Sequence, residues 1–521
     1  MAFVLIGFMG AGKSTVAGEL AQALGVPALD SDDLLAERFG HPVAREFALN
    51  GEKAFRAAEE ELVCELLAAA PPDAVIALGG GSVGSERVRG ALQGHVTVLL
   101  DVEADTAWER VQAQPDAPAR PLASSRDGFG QLHASRRELY EGAADAILGD
   151  LPLGGAAGVL PALCALRAAP HGTRLLWASS ASGEYPVLVG RGLLGTEGEA
   201  GERLAAMWPL DRSRSRPFCV SDETVQAIYA ESLGKLAGTI VIPPGETHKT
   251  LASAERVWLA MVGAGMTRAD HVVALGGGVV GDLAGFCAAS FQRGVPVVQV
   301  PTTLVAQVDS AYGGKTGVDL PAAKNYVGAY HQPAGVLVDP DTLSTLPVAE
   351  LAAGWVEVLK TALIAGGALW ERVASGAEVD EDVIFACART KLTVVAADER
   401  DGGRRQVLNL GHTIGHAIET VSGYARYRHG EAVGLGLLAA LTLSGQGALR
   451  EHVRALMLER ELPVSLDDDV SVEGVLGAIA LDKKRVGAHV PFVLVRAPGE
   501  VEFGCELEPA EIEAAVLELA A

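Results

Sequence analysis

Gly7-Phe-Met-Gly-Ala-Gly-Lys-Ser14 follows the apolar run FVLIGF and opens into STVAGELAQAL. This is G-x-x-x-x-G-K-[ST] between a strand and a helix, where backbone N–H groups wrap phosphates, Lys13 reaches the β- and γ-phosphates and the Ser14 hydroxyl binds Mg²⁺. Gly10, Ala11, Gly12, Lys13, Ser14 and Thr15 are the candidate ATP contacts. Far downstream, GHTIGHAIE puts His412 and His416 at i and i+4, on one helical face. Glu357 precedes them and His429 follows in RHGE. Three histidines and a glutamate suffice for a His₂Glu metal site with an open position. Spacing alone leaves open which histidine stays out, and zinc, cobalt and other divalent ions all suit such ligands.

Phosphoryl transfer also needs acids for metal and acceptor and cations for the developing charge. Asp30 and Asp32 alternate in LDSDD, predicting two carboxylates on one side of a strand end. Arg56 stands in GEKAFRAAE, Arg120 in RPL within a Pro-rich stretch suited to a lid, and Arg136 in RRELY. The string ALGGG occurs twice, in VIALGGGSVG and VVALGGGVVG, and both copies satisfy G-x-G-x-x-G. The halves share nothing else in register, and only the first carries a lysine-containing phosphate loop, so duplication is rejected. The second copy departs from the dinucleotide fingerprint, which expects an acid about 20 residues on; none occurs between Asp282 and Asp309. Its surroundings are cationic instead. Lys249 lies in PPGETHK with Glu246, Lys315 in QVDSAYGGKTGVD with Asp309, and Lys324 and Asn325 in KNYVGAYHQP, with Arg293 and the pair Thr302–Thr303 between. Cations among Gly and apolar residues predict an anionic ligand.

These residues need elements to carry them. The 521 residues suggest roughly three domains. A net charge of −24 argues against nucleic acid and anionic membrane, which both require a basic surface. The six cysteines form no C-x-x-C pair, as expected of thiols in a reducing compartment, and the N-terminus lacks a signal-peptide pattern, so a cytoplasmic protein is expected. The longest apolar run, 432–447, falls short of the ~20 residues of a membrane span and reads as a buried helix. Strand–helix alternation fills residues 1–165, Gly/Ala/Pro-rich composition at 166–171 predicts a linker, a second αβ stretch covers 172–345, and 346–521 is mostly helical apart from a late VPFVLV.

The first 165 residues resemble shikimate kinase through GFMGAGKST, DSD, GE..FR..E, LGGG, RPL and R..LY. The resemblance implies a parallel α/β P-loop kinase domain with helices on both sheet faces. In it Asp30 helps Ser14 hold magnesium and Asp32 engages the acceptor hydroxyl as a catalytic group with Lys13. Arg56 and Arg136 grip the shikimate carboxylate, Gly79, Gly80 and Gly81 let the substrate approach, Arg120 reaches in from the lid, and Arg110 lies by the adenine.

Residues 172–521 resemble 3-dehydroquinate synthase through PPGE..K, LGGGVVGDLAGF, QRG, PTTL.AQVDS..GGKTG, KN..GA, LNLGHT.GHAIE, HGEAV and DKK. The resemblance implies an α/β NAD-binding domain followed by a mostly α-helical metal and substrate domain, and a homodimer through this half. Glu357, His412 and His429 then bind zinc or another divalent metal such as cobalt, and His416 stays free for proton transfer. Lys315, Asn325, Lys483 and Arg293 hold the substrate phosphate, with Arg293 expected from the neighbouring subunit. Lys360, Lys391, Arg405 and Asn409 surround the substrate's polar end. Asp222, Glu246, Lys249, Gly277, Gly278, Asp282, Thr302, Thr303, Asp309, Lys324 and Thr345 frame NAD. The implied reaction oxidises a secondary alcohol, eliminates phosphate, returns the hydride and closes a carbocycle by an aldol step, so NAD is recycled. Three positions depart from the family pattern: Asp401 for Glu, Tyr312 for a small apolar residue and Asp319 for Asn.

The reading is a bifunctional shikimate-pathway enzyme that phosphorylates shikimate and cyclises 3-deoxy-D-arabino-heptulosonate 7-phosphate. The alternatives are a different sugar-phosphate cyclase or metal-dependent polyol dehydrogenase in the second half, or one catalytically dead, regulatory domain.

Overall fold

The computed structural model describes residues 1–113, 125–195, 198–321, 323–480 and 490–520. It resolves into two units, one of Met1–Ala178, Pro186–Leu188 and Glu202–Pro209, the other of Ser179–Tyr185, Val189–Gly201 and Leu210–Ala521. In the first unit the strands Phe3–Ile6, Ala28–Asp30, Val75–Ala77, Val96–Leu100 and Ala146–Leu148 pair in parallel, in the order second, third, first, fourth, fifth. All but Ala28–Asp30 are buried throughout, which is why their sequences read as unbroken apolar runs. The central strand Phe3–Ile6 delivers the chain into the phosphate loop and the helix Lys13–Leu24.

Two expectations change here. The predicted linker at 166–171 begins inside a helix, Ala156–Ala168. Its alanines favour helix, and burial of Val159, Leu163 and Leu166 outweighs the internal Pro161. Asp30 and Asp32 do not alternate along a strand end: the strand stops at Asp30, which caps the helix Ser31–Phe39, and Asp32 lies in that helix's first turn.

In the second unit, Pro217–Asp222, Gly238–Ile242, His271–Gly276, Val297–Pro301 and Gly335–Val338 also pair in parallel, in the order second, first, third, fourth, fifth. The order reverses between Pro217–Asp222 and His271–Gly276, and ligands of such sheets bind at the carboxyl ends of the strands at that switch point. The helix Gly278–Ser290 packs Val280, Leu283, Ala284 and Cys287 into the core with Phe218, Val257, Val272 and Val297. An antiparallel hairpin, Lys315–Leu320 with Ala323–Tyr330, carries Lys315, Lys324 and Asn325. The period-2 pattern there is too interrupted by Gly and Lys for the hairpin to be read from sequence.

Helices dominate after Val348, beginning with Val348–Ala365. The apolar run expected to be a buried helix is one, His429–Leu443, in which eleven of the twelve residues 430–441 are buried, all but Glu431. The late VPFVLV is a strand, Phe492–Ala497, paired with a second strand, Glu500–Cys505, that apolar patterning did not reveal. All six cysteines are free thiols, and no helix among the described residues is long and apolar enough to cross a membrane.

The helices that carry Glu357, His412 and His429 touch through glycine. A Cβ on Gly436 would stand 1.9 Å from the Gly411 carbonyl oxygen, and one on Gly430 would stand 1.8 Å from that of Ala353. Both obstacles are backbone and cannot rotate away. Gly436→Ala is therefore expected to cost about 3 kcal/mol or more of stability and to weaken divalent-metal uptake, read by chemical denaturation and metal titration of the same preparation.

Candidate active sites

The first site is built where the strand Phe3–Ile6 meets the helix Lys13–Leu24. Gly10 has φ +82°, and a Cβ there would lie 2.4 Å from the Ala107 carbonyl oxygen, so only glycine permits this loop. Lys13 Nζ donates to the carbonyls of Gly7 (2.9 Å) and Phe8 (3.1 Å), folding back over the loop that would wrap phosphates. Ser14 Oγ donates to Asp30 Oδ2 at 2.6 Å, while Asp30 Oδ1 accepts the Asp32 N–H at 2.9 Å. A hydroxyl and a carboxylate thus converge beside the loop, a hard oxygen pair suited to Mg²⁺.

The first ALGGG faces these acids. A Cβ on Gly79 would meet Asp32 Oδ1 and Glu59 Oε1, each at 2.7 Å, and one on Gly81 would lie 2.0 Å from Arg56 Nη1. Arg56 pairs with the buried Glu59 at 2.6 Å, and Glu59 also accepts from Ser82 Oγ at 2.9 Å. The Gly80 carbonyl accepts from Arg136 Nη1 at 3.1 Å and from the Tyr140 hydroxyl. Lys13, Ser14, Thr15, Asp30, Asp32, Arg56, Gly79–Gly81, Arg110 and Arg136 all line one cavity of about 810 Å³. Arg110 lies on its wall, paired with Asp150 at 2.7 Å. Arg120 lies outside the described residues.

Sequence reading passed over three supports of this site. Ser31 is fully buried and accepts the Gly79 N–H at 2.8 Å, tying the DSD turn to the glycines. Glu59 and Tyr140 stood inside the quoted motifs without a role. A hydroxyl that must be buried to matter gives no sequence signal beyond its spacing.

The second site sits at the switch point. Asp222 ends its strand and caps the next helix, accepting the N–H groups of Thr224 and Val225 at 2.9 Å each. Gly277 begins the helix Gly278–Ser290, and a Cβ there would meet Thr303 at 2.8 Å. Thr302 is buried with its hydroxyl unpartnered, and Thr345 Oγ1 meets the Tyr229 hydroxyl at 2.7 Å. Lys249 Nζ is buried among Glu246 (2.8 Å), Asp282 (3.3 Å) and Asp319 (4.0 Å). Burial alone would lower its pKa, but the charges of Asp282, Glu246 and Asp319 together outweigh it and raise it. Lys324 Nζ lies 3.3 Å from Glu246 and 3.1 Å from Glu419.

Deeper in the same unit, Glu357, His412 and His429 converge, with ligand atoms all within 4.8 Å of one another. Glu357 Oε1 lies 3.6 Å from His412 Nε2 and 3.4 Å from His429 Nε2. The Glu357 carboxylate is fully buried, and neither oxygen receives a well-formed hydrogen bond, although Lys360 Nζ is 2.5 Å from Oε2. Burial pulls the His429 pKa down, yet Glu357 and Glu419 outweigh it and raise it to about 9. A buried carboxylate facing two imidazoles fits a divalent cation. His416 stands beside this trio, its ring centroid 5.3 Å from that of His412.

Lys391 Nζ lies 2.7 Å from Asp309, and Lys360 lies 3.9 Å from the same carboxylate. Asp309, grouped by sequence with the NAD residues, is thus seated among the lysines of the substrate's polar end. Arg405 is buried, and its guanidinium donates to the carbonyls of Glu399 and, at 3.0 Å, Gly313. Asn409 is half-buried at the end of the turn that follows. Lys315 Nζ meets Asp401 Oδ2 at 2.5 Å, and Asn325 sits exposed on the hairpin with its N–H on Asp319 at 2.7 Å. Arg293 is exposed, away from the glycine cluster at the far end of its helix, and Lys483 lies outside the described residues.

A phosphate loop opening onto a cavity with two arginines defines a small-acid kinase, and a switch-point sheet beside a His–Glu and lysine cluster defines a nucleotide-dependent sugar-phosphate enzyme. Comparison with known proteins gives the families. The shikimate kinase family matches residues 9–151, the N-terminal 3-dehydroquinate synthase family residues 239–353 and the C-terminal one residues 354–485. The 3-dehydroquinate synthase of Halorhodospira halophila is 41% identical over 352 residues, 64% of this chain and 97% of its own length; that of Methylococcus capsulatus is 42% identical over 335 residues, 61% and 91%. The solved structure of 2-epi-5-epi-valiolone synthase from Streptomyces hygroscopicus, with NAD⁺ and Zn²⁺ bound, superposes with a TM-score of 0.57 at 28% identity, covering 66% of this chain and 99% of that one. The chain belongs to the 3-dehydroquinate synthase family and carries a shikimate kinase domain ahead of it. It is a bifunctional enzyme of the shikimate pathway, a kinase and a lyase.

Burial pushes the Tyr140 hydroxyl up to about 12 despite Arg136, so it remains a donor to Gly80 at any assay pH. Tyr140→Phe removes that bond, worth about 1 kcal/mol. The KM for shikimate is expected to rise about fivefold with the pH profile unchanged between 7 and 10, as steady-state kinetics would read.

Proposed function

We propose that the two activities divide between the two glycine clusters as follows. In the kinase, Gly10–Thr15 cradle the phosphates of ATP, with Lys13 on the β- and γ-phosphates, and Ser14 and Asp30 would hold Mg²⁺. Asp32 accepts the hydrogen bond of the attacking hydroxyl, and Arg56 and Arg136 hold the shikimate carboxylate against Gly79–Gly81. Arg110 serves the adenine and Arg120 the lid. The carrying observation is the single cavity that Lys13, Asp32, Arg56 and Arg136 share.

In the synthase, Asp222, Glu246, Lys249, Gly277, Gly278, Asp282, Thr302, Thr303, Lys324 and Thr345 frame NAD, and Glu357, His412 and His429 would hold a divalent ion. When bound, NAD takes up and returns a hydride while the ion polarises the substrate's oxygen. Lys360 and Lys391, both facing Asp309, orient the substrate's polar end with Arg405 and Asn409. Lys315, Asn325 and Lys483 hold its phosphate, joined by the partner subunit's Arg293 in a homodimer. His416, outside the ligand trio, carries the proton that leaves with phosphate. Conversion of the heptulose phosphate to 3-dehydroquinate is favoured over simple polyol oxidation because one hairpin carries both Lys315 and Asn325, a cation and an amide of the kind a phosphate requires and a polyol does not. The chain's working compartment, on this reading, is the cytoplasm.

The test separates the halves within one chain. Lys13→Ala is expected to lower shikimate phosphorylation by about 10²-fold or more and to leave phosphate release from the heptulose phosphate intact. His412→Ala is expected to do the reverse. NADH that accumulates without phosphate release would point to the dehydrogenase instead, and Lys13→Ala indistinguishable from wild type would mark the first domain as a non-catalytic module. Stripping metal with a chelator, then restoring Mg²⁺ alone, is expected to return phosphorylation but not cyclisation; adding Zn²⁺ or Co²⁺ then returns both.

A further inference from the structure

Glu419 was assigned no role in the sequence, yet it occupies the midpoint of the second site. It projects from the helix His412–Val421, where positions 412, 416 and 419 share one face. It is 3% exposed. Both its oxygens lie 3.4 Å from His429 Nδ1, while His429 Nε2 faces Glu357. An imidazole that offers Nε2 to a cation must keep its proton on Nδ1, and a carboxylate there fixes both tautomer and ring orientation. The same carboxylate meets Lys324 at 3.1 Å. From Lys324 the contacts continue to Glu246 (3.3 Å), to Lys249 (2.8 Å) and to Asp282 (3.3 Å) on the helix behind the second glycine cluster. The charges alternate in sign along the whole chain, so each link compensates the next in a buried setting.

We propose that Glu419 is a positioning residue that couples the metal site to the NAD site, holding the metal ligand His429 with one carboxylate and the dinucleotide-facing Lys324 with the same group. This rests on the reading that Glu357, His412 and His429 hold the ion and that Glu246 and Lys324 face NAD. With the ion in place, His429 and Glu419 are fixed, Lys324 is drawn to one position, and NAD meets a preformed pocket. Linkage then requires that NAD tighten the metal by the same factor.

The experiment titrates Co²⁺ into the metal-free full-length protein by calorimetry, with and without saturating NAD⁺. The wild type is expected to bind Co²⁺ more tightly when NAD⁺ is present. Glu419→Gln is expected to weaken Co²⁺ by about 10- to 100-fold and to bring the effect of NAD⁺ close to unity, with Glu419→Asp recovering part of both. A Glu419→Gln protein that binds Co²⁺ as the wild type does, or one that loses affinity while NAD⁺ still tightens the metal by the wild-type factor, overturns the proposal. His412→Ala distinguishes the two readings: Co²⁺ bound by that variant as well as by the wild type defeats the metal-site assignment itself, whatever Glu419 does. The visible spectrum of bound Co²⁺ gives a readout that general loosening of the fold would not imitate, because it reports the ligand geometry at the ion.

Discussion

A fully buried carboxylate is the constraint around which the C-terminal half is arranged. Glu357 has no access to water, and an isolated carboxylate so placed would cost several kcal/mol. Burial alone would push it toward the neutral form, but Lys360, His412 and His429 outweigh that and hold it well below the usual carboxylate range. Lys360 and His412 are then buried too, His429 is half-buried, and each of these cations needs its own counter-charge. Lys360 finds it in Glu357 and Asp309, and His429 in Glu357 and Glu419. The glycines at 430 and 436 follow from the same demand, because the helices must approach backbone to backbone for these short-range contacts to form. Two buried lysines share Asp309 and move in opposite directions. Lys360 is raised because Asp309 and Glu357 outweigh burial, whereas burial wins at Lys391 and lowers it.

The two ALGGG strings answer one steric question in two settings. In both, a strand ends where another chemical group must come nearer the backbone than a Cβ allows. At Gly79 and Gly81 the approaching groups are Asp32, Glu59 and Arg56, side chains of the same domain. At Gly277 and Gly278 they are Thr303 and Ser310, which press the helix onto the adjoining loop at the carboxyl edge of the sheet. The shared string therefore records a shared clearance and no common ligand. Its neighbours decide the ligand: a lysine-bearing phosphate loop and arginines in one case, a switch point and a ladder of alternating charges in the other.

Much of this was legible before any coordinates. Residues whose motif fixes their spacing, such as Lys13 and Ser14 in the phosphate loop and His412 and His416 at i and i+4, announce themselves in the sequence. The buried strands were equally plain, because a strand covered on both faces is an unbroken apolar run. Less legible were features created by packing. Ser31, Glu59, Tyr140 and Glu419 work through partners 48, 23, 60 and 10 residues away, and nothing local to them specifies those partners. The hairpin that carries Lys315 and Lys324 is interrupted by Gly and by charge, which hid its alternation. The linker expected at 166–171 begins inside the helix Ala156–Ala168, because nearby Pro and Gly are a weaker guide there than a buried apolar face. Asp30 and Asp32 were given a strand's period when the chain had already turned into a helix.

The three departures from the family pattern also become physical statements. Asp401 is a methylene shorter than glutamate, yet its backbone adopts φ +62°, and its carboxylate still closes on Lys315 at 2.5 Å. Tyr312 is fully buried, and its hydroxyl donates to the Gln307 carbonyl at 2.6 Å. Gln307 in turn donates to the carbonyls of Pro301 and Asp339 and to Thr342, so the larger ring braces the turn that presents Asp309. Asp319 accepts the Asn325 N–H and stands 4.0 Å from Lys249, adding a carboxylate to a lysine that already has two. Its pKa is accordingly raised by burial, with Lys249 acting against that. Each change alters the support of a cation: Asp401 that of Lys315, Asp319 that of Lys249, and Tyr312 that of the lysines at Asp309. An acidic chain can bind anions only if its few lysines are held in place this firmly, and substitutions that keep the hold are the ones such a site accepts.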